Sequence, residues 1–178
     1  MFSLKVPLYF LSLAGVIGSV SATSFNLYAY GDNVGGLPLY YSDGNAVVSP
    51  DTPSNATKAA PVAFMKDDNN GLVGNPNQTD TGADPAFTDE SLFAPGPYST
   101  DKRMGYTTNA TSNEVTNKFV WYGHFVLIED ESGEFTSLYS VKKSSSHDQD
   151  GSYDLYWNVT DDEDVVPVTM RSIAPSNA

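Results

Sequence analysis

Phe25, Leu27 and Ala29 alternate with Asn26, Tyr28 and Tyr30 up to Gly31. That is the period of an extended strand with one covered face. Leu37, Leu39 and Tyr41 predict a second short strand, ended by the turn dipeptide Asp43-Gly44, with Ala46 to Val48 returning as its hairpin partner. Val62 to Lys66 predicts a further strand. Residues 67–100 change character and become rich in Asn, Asp, Gly, Pro and Thr, with scattered anchors such as Leu72, Val73, Phe87, Leu92 and Phe93. This stretch is expected to be a long polar surface excursion, ordered in places, within one domain. Lys102 to Thr108 is expected to re-enter the sheet.

The second half has the stronger pattern. Phe119 to Ile128 is almost unbroken apolar and aromatic sequence, which predicts one strand that is central and covered on both sides, or covered by a partner. Glu129 to Glu134 reads as the turn into a strand over Phe135 to Val141. Tyr153, Leu155 and Trp157 then alternate with Asp154, Tyr156 and Asn158. Val165 to Ile173 predicts the last strand, and Pro167 predicts that it starts late or lies at an edge. Helical periodicity is nowhere sustained after residue 22, and no internal repeat is present. About eight short strands with turns between them predict an all-β domain over 23–178, an antiparallel sandwich or barrel.

The first 22 residues read differently, as a secretory signal peptide. Lys5 supplies the positive start, Leu8 to Val20 the apolar segment, and Val20-Ser21-Ala22 the small residues at the cleavage positions. The apolar run is short and interrupted for a bilayer about 30 Å thick, so no membrane span is expected once it is removed. The mature chain is expected to begin near Thr23, secreted and either extracellular or cell-wall associated. Loss of Lys5 would take the formal charge from -13 to -14. Nine basic residues against 22 acidic ones argue against nucleic acid as a partner. Cysteine is absent, which excludes disulfide frameworks and thiolate chemistry.

Four sequons agree with secretion: Asn55-Ala56-Thr57, Asn77-Gln78-Thr79, Asn109-Ala110-Thr111 and Asn158-Val159-Thr160. Asn55, Asn77 and Asn109 are the favoured acceptors, because they lie in turn-rich sequence. Phe25-Asn26-Leu27-Tyr28-Ala29-Tyr30-Gly31 and Gly35-Gly36-Leu37-Pro38-Leu39-Tyr40-Tyr41-Ser42-Asp43-Gly44 open the domain. Leu155-Tyr156-Trp157-Asn158 and Val166-Pro167-Val168-Thr169-Met170-Arg171 close it. These two ends resemble an uncharacterised group of small secreted proteins of filamentous fungi; the polar middle does not. The resemblance implies a secreted fungal protein and brings no catalytic residue with it.

Little in the chain points to catalysis, and no catalytic residue is assigned. It has no Gly-x-Ser-x-Gly elbow, and its two histidines are His124 and His147. His124 reads as a core or interface imidazole in mid-strand, and His147 as part of an exposed Ser-rich loop. Thr23 is not the N-terminal histidine that a copper monooxygenase needs. Gly31 to Gly36 lacks the Lys-Ser/Thr and the helix of a phosphate cradle. Glycoside hydrolysis needs two carboxylates facing across a cleft. Here Glu129, Asp130, Glu131 and Glu134 cluster in one turn, Asp161 to Asp164 in another, and Asp154 alone sits in an alternating strand.

Binding asks for less. Tyr28, Tyr30, Tyr40 and Tyr156 fall on the polar register of their strands, where their rings could stack on sugars, although cross-strand pairing or filling a second sheet's interior is the commoner fate. Asp148, Asp150 and Asp154 around Gly151 have part of the spacing of a weak calcium loop. An Asp-Gly hairpin turn on an acidic surface explains the same residues and is the preferred reading, so no cofactor is expected beyond that possible calcium. The expected function is that of a secreted, N-glycosylated, non-enzymatic interaction protein, fungal-surface or host-facing. Cell-wall polysaccharide or a host protein would be its partner. A lectin-like module or a glycoside hydrolase is the alternative.

Overall fold

The computed structural model describes residues 23–77, 87–145, 151–160 and 162–176. The leader, His147, Asp148, Asp150 and Asp161 lie outside the described residues. Within them every element is a strand, fourteen in all, and every pairing between strands is antiparallel. In chain order these are β1 Tyr28–Gly31, β2 Val34–Ser42, β3 Asn45–Val48, β4 Ala59–Lys66 and β5 Leu72–Pro76. Then come β6 Glu90–Pro95, β7 Gly105–Thr107, β8 Glu114–Val115, β9 Phe119–Tyr122 and β10 Phe125–Glu129. β11 Phe135–Thr136, β12 Tyr139–Lys143, β13 Tyr153–Trp157 and β14 Val166–Arg171 complete the chain.

The hydrogen-bonded order β1-β2-β4-β5-β6-β7-β3-β13-β12-β14 returns to β1, so ten strands close into a barrel. Each strand of that circuit therefore has a neighbour on both sides. The β2–β3 hairpin crosses this circuit, because β2 pairs with β3 as well as with β1 and β4. It turns at Asp43 (φ 48°) and Gly44 (φ 88°), the left-handed pair of a type I′ turn. The Asp43 carboxylate accepts hydrogen bonds from the backbone N–H groups of Thr57 (2.9 Å) and Lys58 (2.8 Å), tying the tip to the approach to β4.

The core runs along the inward register of these strands. Phe64 on β4 is fully buried, with its ring 6.2 Å from that of Phe25 and 6.3 Å from that of Tyr106. Tyr41 stacks on Phe87 at 4.1 Å. The seam between β1 and β14 is close-packed: a Cβ on Gly31 would stand 2.5 Å from the Pro167 carbonyl oxygen and 2.8 Å from Val168 Cγ1.

The all-β antiparallel prediction holds, but the strands are more numerous and shorter than the apolar runs suggested. The polar stretch 67–100 is not wholly excursion, since it carries β5 and β6 and both join the barrel. Main-chain hydrogen bonds, which sequence polarity does not report, recruit them. The apolar run 119–128 is two strands, because Gly123 takes φ 59° and makes a hairpin turn with His124. His124 is therefore exposed in a turn, not a mid-strand core imidazole. The run 135–141 is likewise split into β11 and β12. β13 covers the predicted alternation except its last residue, Asn158. Pro167 pairs with Ser140 on β12, whereas β1 takes over from Val168 onward, so its missing N–H falls where β14 is flanked on one side.

Candidate functional site

Cross-strand register assembles an outward-facing strip at one side of the barrel. Tyr122 on β9 lies opposite Phe125 on β10, Phe125 opposite Arg171 on β14, Arg171 opposite Tyr28 on β1, and Tyr28 opposite Pro38 on β2. Directly opposed residues of antiparallel strands share a face. Tyr122 is 75% exposed, while Phe125, Arg171, Tyr28 and Pro38 are half-buried. The Arg171 guanidinium carbon sits 4.5 Å from the Phe125 ring centre and 4.8 Å from that of Tyr30. Tyr30 is anchored in turn by its hydroxyl, which donates to the Ile173 carbonyl at 2.7 Å. Among the described residues Arg171 makes no ion pair, although acidic residues dominate the chain. Guanidinium–ring contact is favourable without neutralising the charge, so its N–H donors stay directed by two rings.

A cleft opens beside the strip, lined by Thr23, Phe25, Lys66, Trp121, Gly123 and Ser172. Gly123 and Ser172 are the chain neighbours of Tyr122 and Arg171, and the Ser172 N–H donates to the His124 carbonyl at 3.0 Å. The Lys66 ammonium stands 3.7 Å over the Trp121 ring, and Phe25 meets Trp121 edge-on at 4.9 Å. Desolvation beside these rings pulls the Lys66 pKa below its ordinary value. Two cations and a run of aromatic rings thus gather on a chain that is strongly acidic elsewhere.

Of the four tyrosines singled out by register, Tyr28 and Tyr30 belong to this site. Tyr40 does not: it is 7% exposed. The C-terminal half of β2 lies where the hairpin crosses the barrel, so both faces of Leu39 to Ser42 are covered. Tyr156 is half-buried on β13, opposite Ser140 and away from the strip. Desolvation is the main reason its phenol is pushed up. Sequence reasoning missed Tyr122, Phe125, Arg171, Lys66 and Trp121 as site residues. The signal for the first two was Gly123, a turn residue inside an apolar run.

Asn55, Asn109 and Asn158 are exposed and Asn77 is half-buried. Thr79 of the Asn77 sequon lies outside the described residues. Asn158 stands just past the end of β13 at φ 53°. Asp154 is buried on β13, opposite Val47 and Lys142. Its proposed calcium companions, Asp148 and Asp150, lie outside the described residues.

The turn acids hold turns. Asp130 accepts from the Ser132 hydroxyl (2.7 Å), the Ser132 N–H (2.8 Å) and the Glu134 N–H (3.0 Å), and these bonds, led by the hydroxyl, lower its pKa. Asp162 is lowered chiefly by Lys142, whose ammonium donates to it at 2.8 Å and also meets Asp164 at 3.3 Å. Glu90 is raised by desolvation, opposed by Lys58. Asp43, whose charge reaches the same Tyr41 phenol as that of Glu90, is committed to the Thr57 and Lys58 amides.

The folded pKa values of Asp130 and Asp162 lie below the ordinary 3.8 of an aspartate. Their contribution is therefore present above the unfolded pKa and lost as pH falls through the depressed values. Lys142 is raised above 10.5, so its share is present below that value and lost as pH rises beyond it. Melting temperature against pH should fall at both limbs. Asp130→Asn should flatten the acid limb and leave the alkaline one; an unchanged acid limb would remove Asp130 from the account.

Compared with known protein families, curated proteins and solved structures, the chain matches no family model, no curated protein and no solved structure. Fold and site define a closed antiparallel β-barrel carrying an outward aromatic–cation surface.

Proposed function

We propose that this is a secreted, N-glycosylated, non-enzymatic protein of a filamentous fungus, working at the fungal surface or facing a host, and that it binds polysaccharide on the aromatic strip. The strip itself carries the reading. Tyr122, Phe125 and Tyr28 line up across neighbouring strands on one outward face, with Arg171 held between rings as a hydrogen-bond donor. Sugar rings present C–H faces that pack on aromatic surfaces and hydroxyls that accept from guanidinium and ammonium groups. Cleavage after Ala22 would add the α-ammonium of Thr23 to the cleft that Lys66 lines. A mature charge of -14 repels polyanions at long range, which favours a neutral glycan. The commitment of Asp43 and Asp130 to backbone hydrogen bonds and of Asp162 to Lys142 supports binding without hydrolysis.

The test is co-sedimentation with insoluble chitin, β-glucan and cellulose, with released reducing ends measured in parallel. Binding to at least one, without release, is expected. Tyr122→Ala combined with Phe125→Ala should weaken it roughly tenfold or more, each lost stacking contact being worth about 0.5–1.5 kcal/mol beyond its buried area. Binding that survives the double substitution would move the site elsewhere. Reducing ends released in step with protein would make the protein a hydrolase.

A further inference from the structure

We infer that the pocket beside Asn158 is the seat of the first N-acetylglucosamine of a glycan carried by that same asparagine. The inference rests on the glycosylation reading above and assigns the modification a structural role. The pocket is about 170 Å³, and Leu138, Ser140, Val165 and Pro167 line it together with Asn158 and Thr160. The whole sequon, Asn158, Val159 and Thr160, borders it. A second cavity, on the Trp157 side, touches the sequon at Asn158 alone. The Asn158 N–H donates to the Leu138 carbonyl at 2.9 Å, which fixes the acceptor residue against the pocket wall. With its backbone at φ 53° just past β13, Asn158 is itself exposed.

Ser140 and Leu138 give the lining a polar and an apolar point of contact. Ser140 is 4% exposed, and its buried hydroxyl has no hydrogen-bond partner. Register places it opposite Pro167, on the face that the pocket occupies. A buried hydroxyl without a partner is costly, and one that borders a cavity is satisfied by whatever fills it. Leu138, beside it, is 47% exposed. N-acetylglucosamine matches both: its acetamide and ring hydroxyls reach the Ser140 Oγ, while its methyl and C–H face cover Leu138, Val165 and Pro167. In the modification, Asn158 Nδ2 loses a proton and bonds the anomeric carbon of an oligosaccharide, whose diphosphate-lipid carrier leaves. The first sugar is thereby tethered next to the pocket, so it docks at high effective concentration.

The full chain is expressed in a eukaryotic secretory host, and site occupancy is read by peptide mass. Release of each glycan by an endoglycosidase that cuts between the first two sugars is then timed on folded and on denatured protein. Asn158 should be occupied, and its glycan should leave the folded protein about tenfold more slowly than those at Asn55 and Asn109, with the difference gone after denaturation. Ser140→Ala and Leu138→Ser keep the sequon and should each remove the protection without lowering occupancy. Equal release from all three sites, with Asn158 occupied, would overturn the docking and leave glycosylation standing. An empty Asn158 beside occupied Asn55 and Asn109 would also overturn it alone, whereas a chain without any glycan would end both readings.

Discussion

Phe64→Ala is expected to lower the unfolding free energy by about 3–5 kcal/mol, the cost of removing a large buried aromatic side chain and leaving a cavity. The ring is fully buried and lies between Phe25 and Tyr106, so it joins the approach to β1 with β4 and β7. The Phe25 and Phe64 backbones exchange two hydrogen bonds, at 3.0 and 2.7 Å, which limits how far the walls can collapse into the gap. For a domain of this size the melting temperature should drop by roughly 6–20 °C. Chemical denaturation checks it, with Phe135→Ala as the control. Phe135 is 57% exposed, and its removal should stay within about 0.5 kcal/mol. Equal losses from the two would contradict the placement of the core.

Closure of the barrel leaves no room for a side chain at Gly31. Gly31→Ala puts a methyl group where the Pro167 carbonyl oxygen (2.5 Å) and Val168 Cγ1 (2.8 Å) already stand. The first of these is backbone and cannot rotate away, so β1 and β14 must part locally. Overpacking of this kind costs about 1–3 kcal/mol, and here it acts at the strand pair that closes the circuit. Hydrogen exchange at Ala29, Met170 and their neighbours should speed up along with the loss of global stability. Gly35→Ala, with nothing within 4 Å of the added atom, should leave both unchanged. A Gly31→Ala protein as stable as the parent would show that the seam yields without cost.

The strip also ties stability to binding. Arg171 packs on Phe125 and Tyr30 as well as offering donors, so replacing it would alter the surface it belongs to. Tyr122, exposed and at a turn, is the cleaner probe of ligand contact.

Much of the fold was legible in the chain because a half-buried strand writes its period into side-chain polarity. Phe25 to Tyr30 and Tyr153 to Trp157 show it, and the Asp43-Gly44 dipeptide marks its hairpin. Glycine marks breaks that polarity does not. Gly123 inside a run of apolar residues is a turn, and the ten-residue strand expected there became the hairpin that carries Tyr122 and Phe125.

Local pattern thus determined that the protein is antiparallel β and where its clearest turns fall. Only the tertiary structure decided the rest. Tyr40 shares the polar register of Tyr28 and is nevertheless buried, because the β2–β3 hairpin crosses the barrel and is covered on both faces. Arg171 meets Phe125 and Tyr30 because β14 lies against both β10 and β1, residues far apart in the chain. Alternation along a strand records that a side chain faces out. Which strand lies alongside is set by closure of the hydrogen-bonded circuit, a property of the whole sheet that no local window contains.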